Sequence, residues 1–234
     1  VVADALPLAA LLARPDIRRG CSLARVARPS VPTGFPRLDA ELPGGGWPAG
    51  SLTEIVPAHD GIGELRILGP ALARLARAGE RLAWIAPPYL PYAPALAAAG
   101  IALGQVLIVR THSGRDALWA AEQALRSAAC GAVLVWPGAA KYAALRRLQL
   151  AAESTRAMTL LFRAPQAAAE ASPAALRLAL DTAAGGIAVR ILKRRGAVCE
   201  RPIAIDLSRP HAAMDRAVPA EPAARSADAR ACHA

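Results

Sequence analysis

Apolar residues along this 234-residue chain follow two rhythms that alternate from Ser51 onward. Short, largely apolar runs read as strands buried on both faces: "SLTEIV" (51–56), "LAWIA" (82–86), "VLIV" (106–109), "AVLVW" (132–136) and "MTLLF" (158–162). Between them, apolar positions three and four apart recur over 63–79, near 92–99, over 115–128 and over 140–153, the spacing of helices with one buried face. Such strands joined by such helices predict an α/β fold, a mostly parallel sheet covered by helices. After Pro173 the runs shorten to "LRLAL" (176–180), "IAVRIL" (187–192) and "IAIDL" (203–207), separated by Gly185-Gly186 and a "KRRG" turn. These predict antiparallel hairpins added at the C-terminal edge of the sheet.

The rhythm fails at both ends. Residues 1–14 predict a short amphipathic helix whose apolar side is Leu6, Leu8, Leu11 and Leu12, whereas 15–32 mixes Pro, Ser and Arg without a period and reads as a linker. From Pro210 to Ala234 the chain is Ala, Pro, Arg and Asp with no apolar period, the pattern of a disordered tail. The expected organisation is therefore a helix and linker over 1–32, one domain over 33–209 and a tail over 210–234. "LPLAALLA" (6–13) has no basic segment before it and is too short to cross a bilayer, so neither a signal peptide nor a membrane span is expected.

Charge adds a second consideration. A formal charge of +10 and a pI near 10.6 favour acidic partners, nucleic acid or an acidic protein surface. Of 28 basic residues only Lys141 and Lys193 are lysines, and in so Ala-rich a chain the arginines are equally accounted for by biased codon usage and an ordinary solvated surface. Cys21, Cys130, Cys199 and Cys232 lie far apart with no pair or His at metal-ligand spacing, as expected of reduced thiols in a cytoplasmic protein without a metal.

Candidate chemistry centres on "LTEIVPAHDGIGELRIL" (52–68), a strand, tight turn and apolar helix laid out like a phosphate-binding loop. A loop of the form G-x-x-x-x-G-K-[ST] uses its Lys on the phosphates and its hydroxyl on Mg²⁺. With Gly61 as the second Gly, the first falls on Val56, the Lys on Ile62 and the hydroxyl on Gly63. His59 and Asp60 in the turn suggest an acid–base pair, but neighbours in a turn rarely point the same way. Trp47, Trp84 and Trp119 read as packing residues, with Trp119 beside the inward stripe of Leu118, Ala121 and Leu125.

"TGFPRLDAELPGGGWPAGSLTEI" (33–55) resembles the segment before the phosphate loop of RecA-type recombinases, and "RILKRRGAVCERPIAIDL" (190–207) is similar to the basic hairpin that closes the RecA core. "LDAELPGGGWPAG", "APPYLPYAPALAAAGI", "DALWAAEQALRS" and "ALRRLQLAAE" look more closely like the ImuA proteins, RecA-like accessory factors of bacterial mutagenic translesion synthesis. The resemblance spans roughly 33–207 and implies a RecA-like core.

It also locates the positions of ATPase chemistry, and they are substituted. The catalytic Glu expected after the second strand falls at or within a residue of Pro88, the Mg²⁺-orienting Asp on Trp136, and the polar sensor on Arg163-Ala164-Pro165. The implied protein is not an enzyme and takes no nucleotide cofactor. Of the two RecA loops that grip single-stranded DNA, one shrinks to "PGAA" (137–140) and the other, 163–175, has one basic residue and no aromatics, so DNA contact is expected to be weak or indirect. Lys193, Arg194 and Arg195 match the RecA hairpin that reaches a neighbouring subunit; they read equally as a grip on an acidic partner and as a solvated turn. Residues 1–32 have the layout of the RecA arm that docks on a neighbour, which makes Leu8, Leu11 and Leu12 candidate partner contacts. The partners implied are an ImuB-type inactive polymerase-like protein, RecA, and through the first the error-prone polymerase and the sliding clamp. A different class fits the shortened core as well: a cell-division inhibitor similar to SulA, which binds FtsZ.

Overall fold

The structure, a computed structural model, describes residues 29–196 and 201–207. Its centre is an eight-stranded sheet ordered β10-β9-β8-β3-β7-β6-β4-β5. The strands are β3 (Ser51–Pro57), β4 (Arg81–Ile85), β5 (Val106–Val109), β6 (Cys130–Val135), β7 (Met158–Phe162), β8 (Leu176–Ala183), β9 (Gly186–Lys193) and β10 (Ile203–Asp206). From β8 through β5 all neighbours are parallel, while β9 and β10 fold back antiparallel at one edge. β3 lies inside the sheet between β7 and β8 and is buried at every residue, as a strand covered on both faces must be.

Helices cover both faces. α2 (Glu64–Arg77) turns Ile67, Leu68, Ala71 and Leu72 onto the face carrying Ile55, Leu82, Leu134, Leu160 and Leu178. α4 (Gly114–Arg126) and α5 (Tyr142–Glu153) cover the other, where Leu118, Ala121, Leu125, Leu145 and Leu148 meet Leu52, Ala83, Val133 and Leu161. Burial of these Leu and Ile side chains contributes about 1.5–3 kcal/mol each. Two polar devices fix element starts. Ser113 caps α4 by accepting from the Asp116 N–H at 3.1 Å, and the buried Gln149 Oε1 accepts from the Leu52 N–H at 3.0 Å.

Besides β5, which was expected to be buried on both faces but is the edge strand with Leu107 50% and Ile108 36% exposed, three expectations change. Ser30–Val31 is not linker but β1, paired antiparallel with β2 (Trp47–Pro48). Behind it Thr33 is fully buried, its N–H donating to Asp39 of the short helix α1 (Pro36–Asp39), so the folded core reaches back past residue 33. β8, expected as half of an edge hairpin, is also a parallel neighbour of β3, because its apolar Leu176, Leu178 and Leu180 extend the face that α2 covers. The third concerns Trp119, expected to pack: it is 64% exposed, since only Ala117, Leu118, Ala121, Glu122 and Leu125 of α4 turn inward. The helix expected at residues 1–14 and the tail expected over 210–234 lie outside the described residues.

Candidate functional site

β3 delivers the chain into an exposed turn, residues 58–61, and then into α2. Gly61 and Gly63 have φ of +80° and +116°, left-handed conformations that residues with a Cβ enter at a cost. At Gly63 a Cβ would also lie 2.9 Å from Leu207 Cδ1. The amide groups at such a turn are the ones that cradle a phosphate, with the helix N-terminus favouring the negative charge. Here they already hold an anion: one Glu64 oxygen accepts from the Gly61 N–H at 3.0 Å and the other from the Gly63 N–H at 3.1 Å. A phosphate would have to displace that carboxylate and then tolerate it nearby. Ile62, in the Lys position, is half-buried and packs against the core, and Val56 is buried at the end of β3. Arg66 donates to the Leu207 carbonyl, tying α2 to the residue after β10.

The parallel topology brings the other positions that the resemblance marks to the same C-terminal edge of the sheet, where an α/β fold binds ligands. Pro88 is exposed in the loop after β4, which opens at Ala86 with φ +53°. Trp136, just past β6, stacks on Phe162 with centroids 4.3 Å apart and planes within 5°, and lies 6.1 Å from Trp84. Where a Mg²⁺-orienting carboxylate was expected there is an aromatic stack.

Arg163, just past β7, turns inward. It lies 3.4 Å from Glu54 and 2.7 Å from Glu170, while Arg177 on β8 grips Glu54 through Nε at 3.1 Å and Nη2 at 3.2 Å. Glu54 is completely buried, and Arg177 also donates to the Ala167 carbonyl at 2.6 Å. The single basic residue of loop 163–175 is thus consumed in holding that loop against the sheet. The sequence carried a signal for this network that went unread: a Glu in the middle of the buried run "SLTEIV" and an Arg inside "LRLAL", since a buried charge requires a partner.

The basic hairpin is only partly offered to solvent. Lys193 donates to the Ser172 carbonyl at 3.0 Å, and its amine sits below its ordinary pKa through desolvation and then the nearby Arg177 charge. Arg194 folds back to pair with the Glu41 carboxylate at 2.8 Å, its side chain 14% exposed. Arg195 is exposed. Arg194 is therefore a clasp between the hairpin and the lead-in at 41, which leaves Lys193 and Arg195 on the surface. Leu6, Leu8, Leu11 and Leu12 lie outside the described residues. His59 Nδ1 lies 3.2 Å from the Asp60 backbone carbonyl, so its geometry engages the main chain rather than the Asp60 carboxylate.

Sequence reasoning missed the exposed apolar loop after β4, where Tyr89, Leu90 and Tyr92 are each more than 70% exposed. The prolines of "APPYLPY" are its readable signal: they hold the chain off the sheet and leave few places to bury the aromatics. Cys130 is a free, partly buried thiol, pushed above its ordinary pKa chiefly by burial, and Cys21, Cys199 and Cys232 lie outside the described residues. Among the described residues no cluster of three or more His, Cys, Asp or Glu is placed to hold a metal, and no helix is long and apolar enough to cross a membrane.

No protein-family model matches the chain, and no curated protein matches it. Among solved structures the chain is similar to SulA from Pseudomonas aeruginosa, with 26% identity and a TM-score of 0.41 over 48% of this chain and 97% of that one.

Proposed function

We propose that this chain is a non-catalytic, RecA-like adaptor of the ImuA kind, acting in the cytoplasm in damage-induced mutagenic translesion synthesis. It works by protein contacts with an ImuB-type inactive polymerase-like partner, with RecA as a second candidate and the error-prone polymerase and sliding clamp reached indirectly. DNA contact is weak or indirect. The observation that carries the non-catalytic reading is the Glu64 carboxylate held on the Gly61 and Gly63 amides, which fills the anion cradle from within. Trp136 stacked on Phe162 supports it, because an indole there offers no oxygen to a metal. The translesion assignment rests on the sequence motifs that resemble ImuA, above all "LDAELPGGGWPAG" and "APPYLPYAPALAAAGI". Affinity capture of the tagged chain from cells with damaged DNA tests it, with an ImuB-type protein as the expected prey. Recovery of FtsZ without that protein would replace this reading by a division-inhibitor one.

A further inference from the structure

A cavity of about 530 Å³ opens between α2 and the loop and helix that follow β4. Phe35, Leu65, Leu72, Trp84, Leu96 and Leu207 are among its walls, and the exposed Tyr92 lies on it. The short helix α3 (Ala93–Ala98) beside it buries none of its residues fully although its sequence, "APALAA", is entirely apolar. The Trp84 indole N–H is buried with no hydrogen-bond partner among the described residues. An open apolar concavity beside an exposed apolar loop and a helix that buries none of its apolar residues fully is the kind of surface that a further apolar segment covers.

We propose that residues 6–13 of this same chain, "LPLAALLA", seat in this groove. Three observations select that occupant. The segment carries four leucines and no charge, whereas the stretch that follows Leu207 at the groove's other wall, 208–234, is dominated by Ala, Pro, Arg and Asp. The tether starts in the right place: β1 is pinned to β2, and Phe35, a few residues on, is itself a wall of the groove. The tether also reaches: residues 14–28 span up to roughly 50 Å when extended, and about 20 Å as a flexible coil. Intramolecular attachment of this length gives an effective concentration on the order of millimolar, so a modest apolar contact suffices. The consequence goes beyond the adaptor reading. The leucines that would meet a partner are stored on the chain's own core, and a partner must displace them to engage them.

The test replaces Leu11 with the photo-crosslinking residue benzoyl-phenylalanine in the full chain at low micromolar concentration and maps the products. Crosslinks within one chain to residues 65–72 or 92–101 are expected, and Leu96→Glu should remove them, with some loss in the thermal melt because Leu96 also packs partly against the core. Tyr92→Lys, on the exposed rim, serves the same purpose if Leu96→Glu fails to fold. As an independent readout, replacing Leu8, Leu11 and Leu12 by Glu should raise the fluorescence of an anilinonaphthalene dye several-fold by uncovering the groove. Crosslinks between chains, to another surface or to nothing, or unchanged dye fluorescence, would overturn the proposal. None of these outcomes bears on whether an ImuB-type protein is captured, so the two ideas fail separately.

Discussion

Glu64 and Glu54 are two carboxylates in one strand–turn–helix unit with opposite surroundings, and each makes its own prediction. Glu64 is partly exposed as the first residue of α2, where its carboxylate accepts from the Gly61 and Gly63 amides of the turn before the helix. Loss of these hydrogen bonds in Glu64→Ala should lower stability by about 1 kcal/mol in a denaturant titration. The parent should show no heat of ATP-Mg²⁺ binding at micromolar concentrations, and Ile62→Lys should not create hydrolysis, because Pro88 and Trp136 still supply no carboxylate. Glu54 is fully buried between two guanidiniums, so Glu54→Gln leaves Arg163 and Arg177 inadequately paired in the core. Its expected cost is about 3–5 kcal/mol. A loss under 1 kcal/mol would mean the network relaxes or is wetted. For Cys130, burial raises the folded-state pKa above the ordinary 9.0, so the unfolded chain ionises first as pH rises. Its contribution to stability is complete below pH 9 and is lost as pH climbs through the folded value; the stability difference between parent and Cys130→Ala, measured across that range, should show this slope.

At the scale of elements, the hairpin of β9 and β10 behaves as two surfaces joined at one turn. Lys193 and Arg195 face solvent, while Arg194 closes onto Glu41 across 153 positions of sequence. Reversing Arg195 to Glu should leave the melt unchanged, and reversing Lys193 should cost only its bond to the Ser172 carbonyl, while the pair together weakens capture of an acidic partner, an effect that added salt mimics by screening. Arg194→Glu should instead destabilise the fold by setting a second carboxylate against Glu41, and Glu41→Arg in the same chain should restore part of the loss. Equal melts for all these variants would show that the clasp contributes nothing. The same scale explains why the basic charge of "KRRG" could not be assigned from the sequence: three neighbouring cations look alike until the fold shows which has a carboxylate within reach.

For the whole molecule the informative boundary is the start of the core. The pairing of β1 with β2 and the burial of Thr33 carry it back at least to Ser30, ahead of the expected 33. A chain lacking residues 1–28 should unfold in one cooperative transition, and a chain lacking 1–32 should melt at a clearly lower temperature because β2 loses its neighbour and Trp47 part of its cover. Indistinguishable melts would return Ser30 and Val31 to the linker. Removal of 1–28 also removes the leucines proposed for the groove, so the comparison that decides the boundary is between the two truncations.

The sequence by itself determined the α/β class, the number and nearly the limits of the strands from Ser51 onward, and which residue types stand at the turn after β3 and at the ends of β4 and β6. Those features are written in local periodicity and in residue types that no fold can alter: apolar runs alternating with helical spacing build a sheet covered by helices, and the side chains of Ile62, Pro88 and Trp136 carry no group that binds phosphate or metal, although "VLIV", equally apolar, became the exposed edge strand β5. Tertiary structure alone decided what distant residues do to one another. It set β8 beside β3, seated Glu54 between Arg163 and Arg177, turned Arg194 onto Glu41, put Trp119 outside, and opened the groove between α2 and α3. The physical reason is that pairing of charges and closure of surfaces depend on separations of a few ångströms between residues a hundred or more positions apart, and no periodicity along the chain encodes those distances.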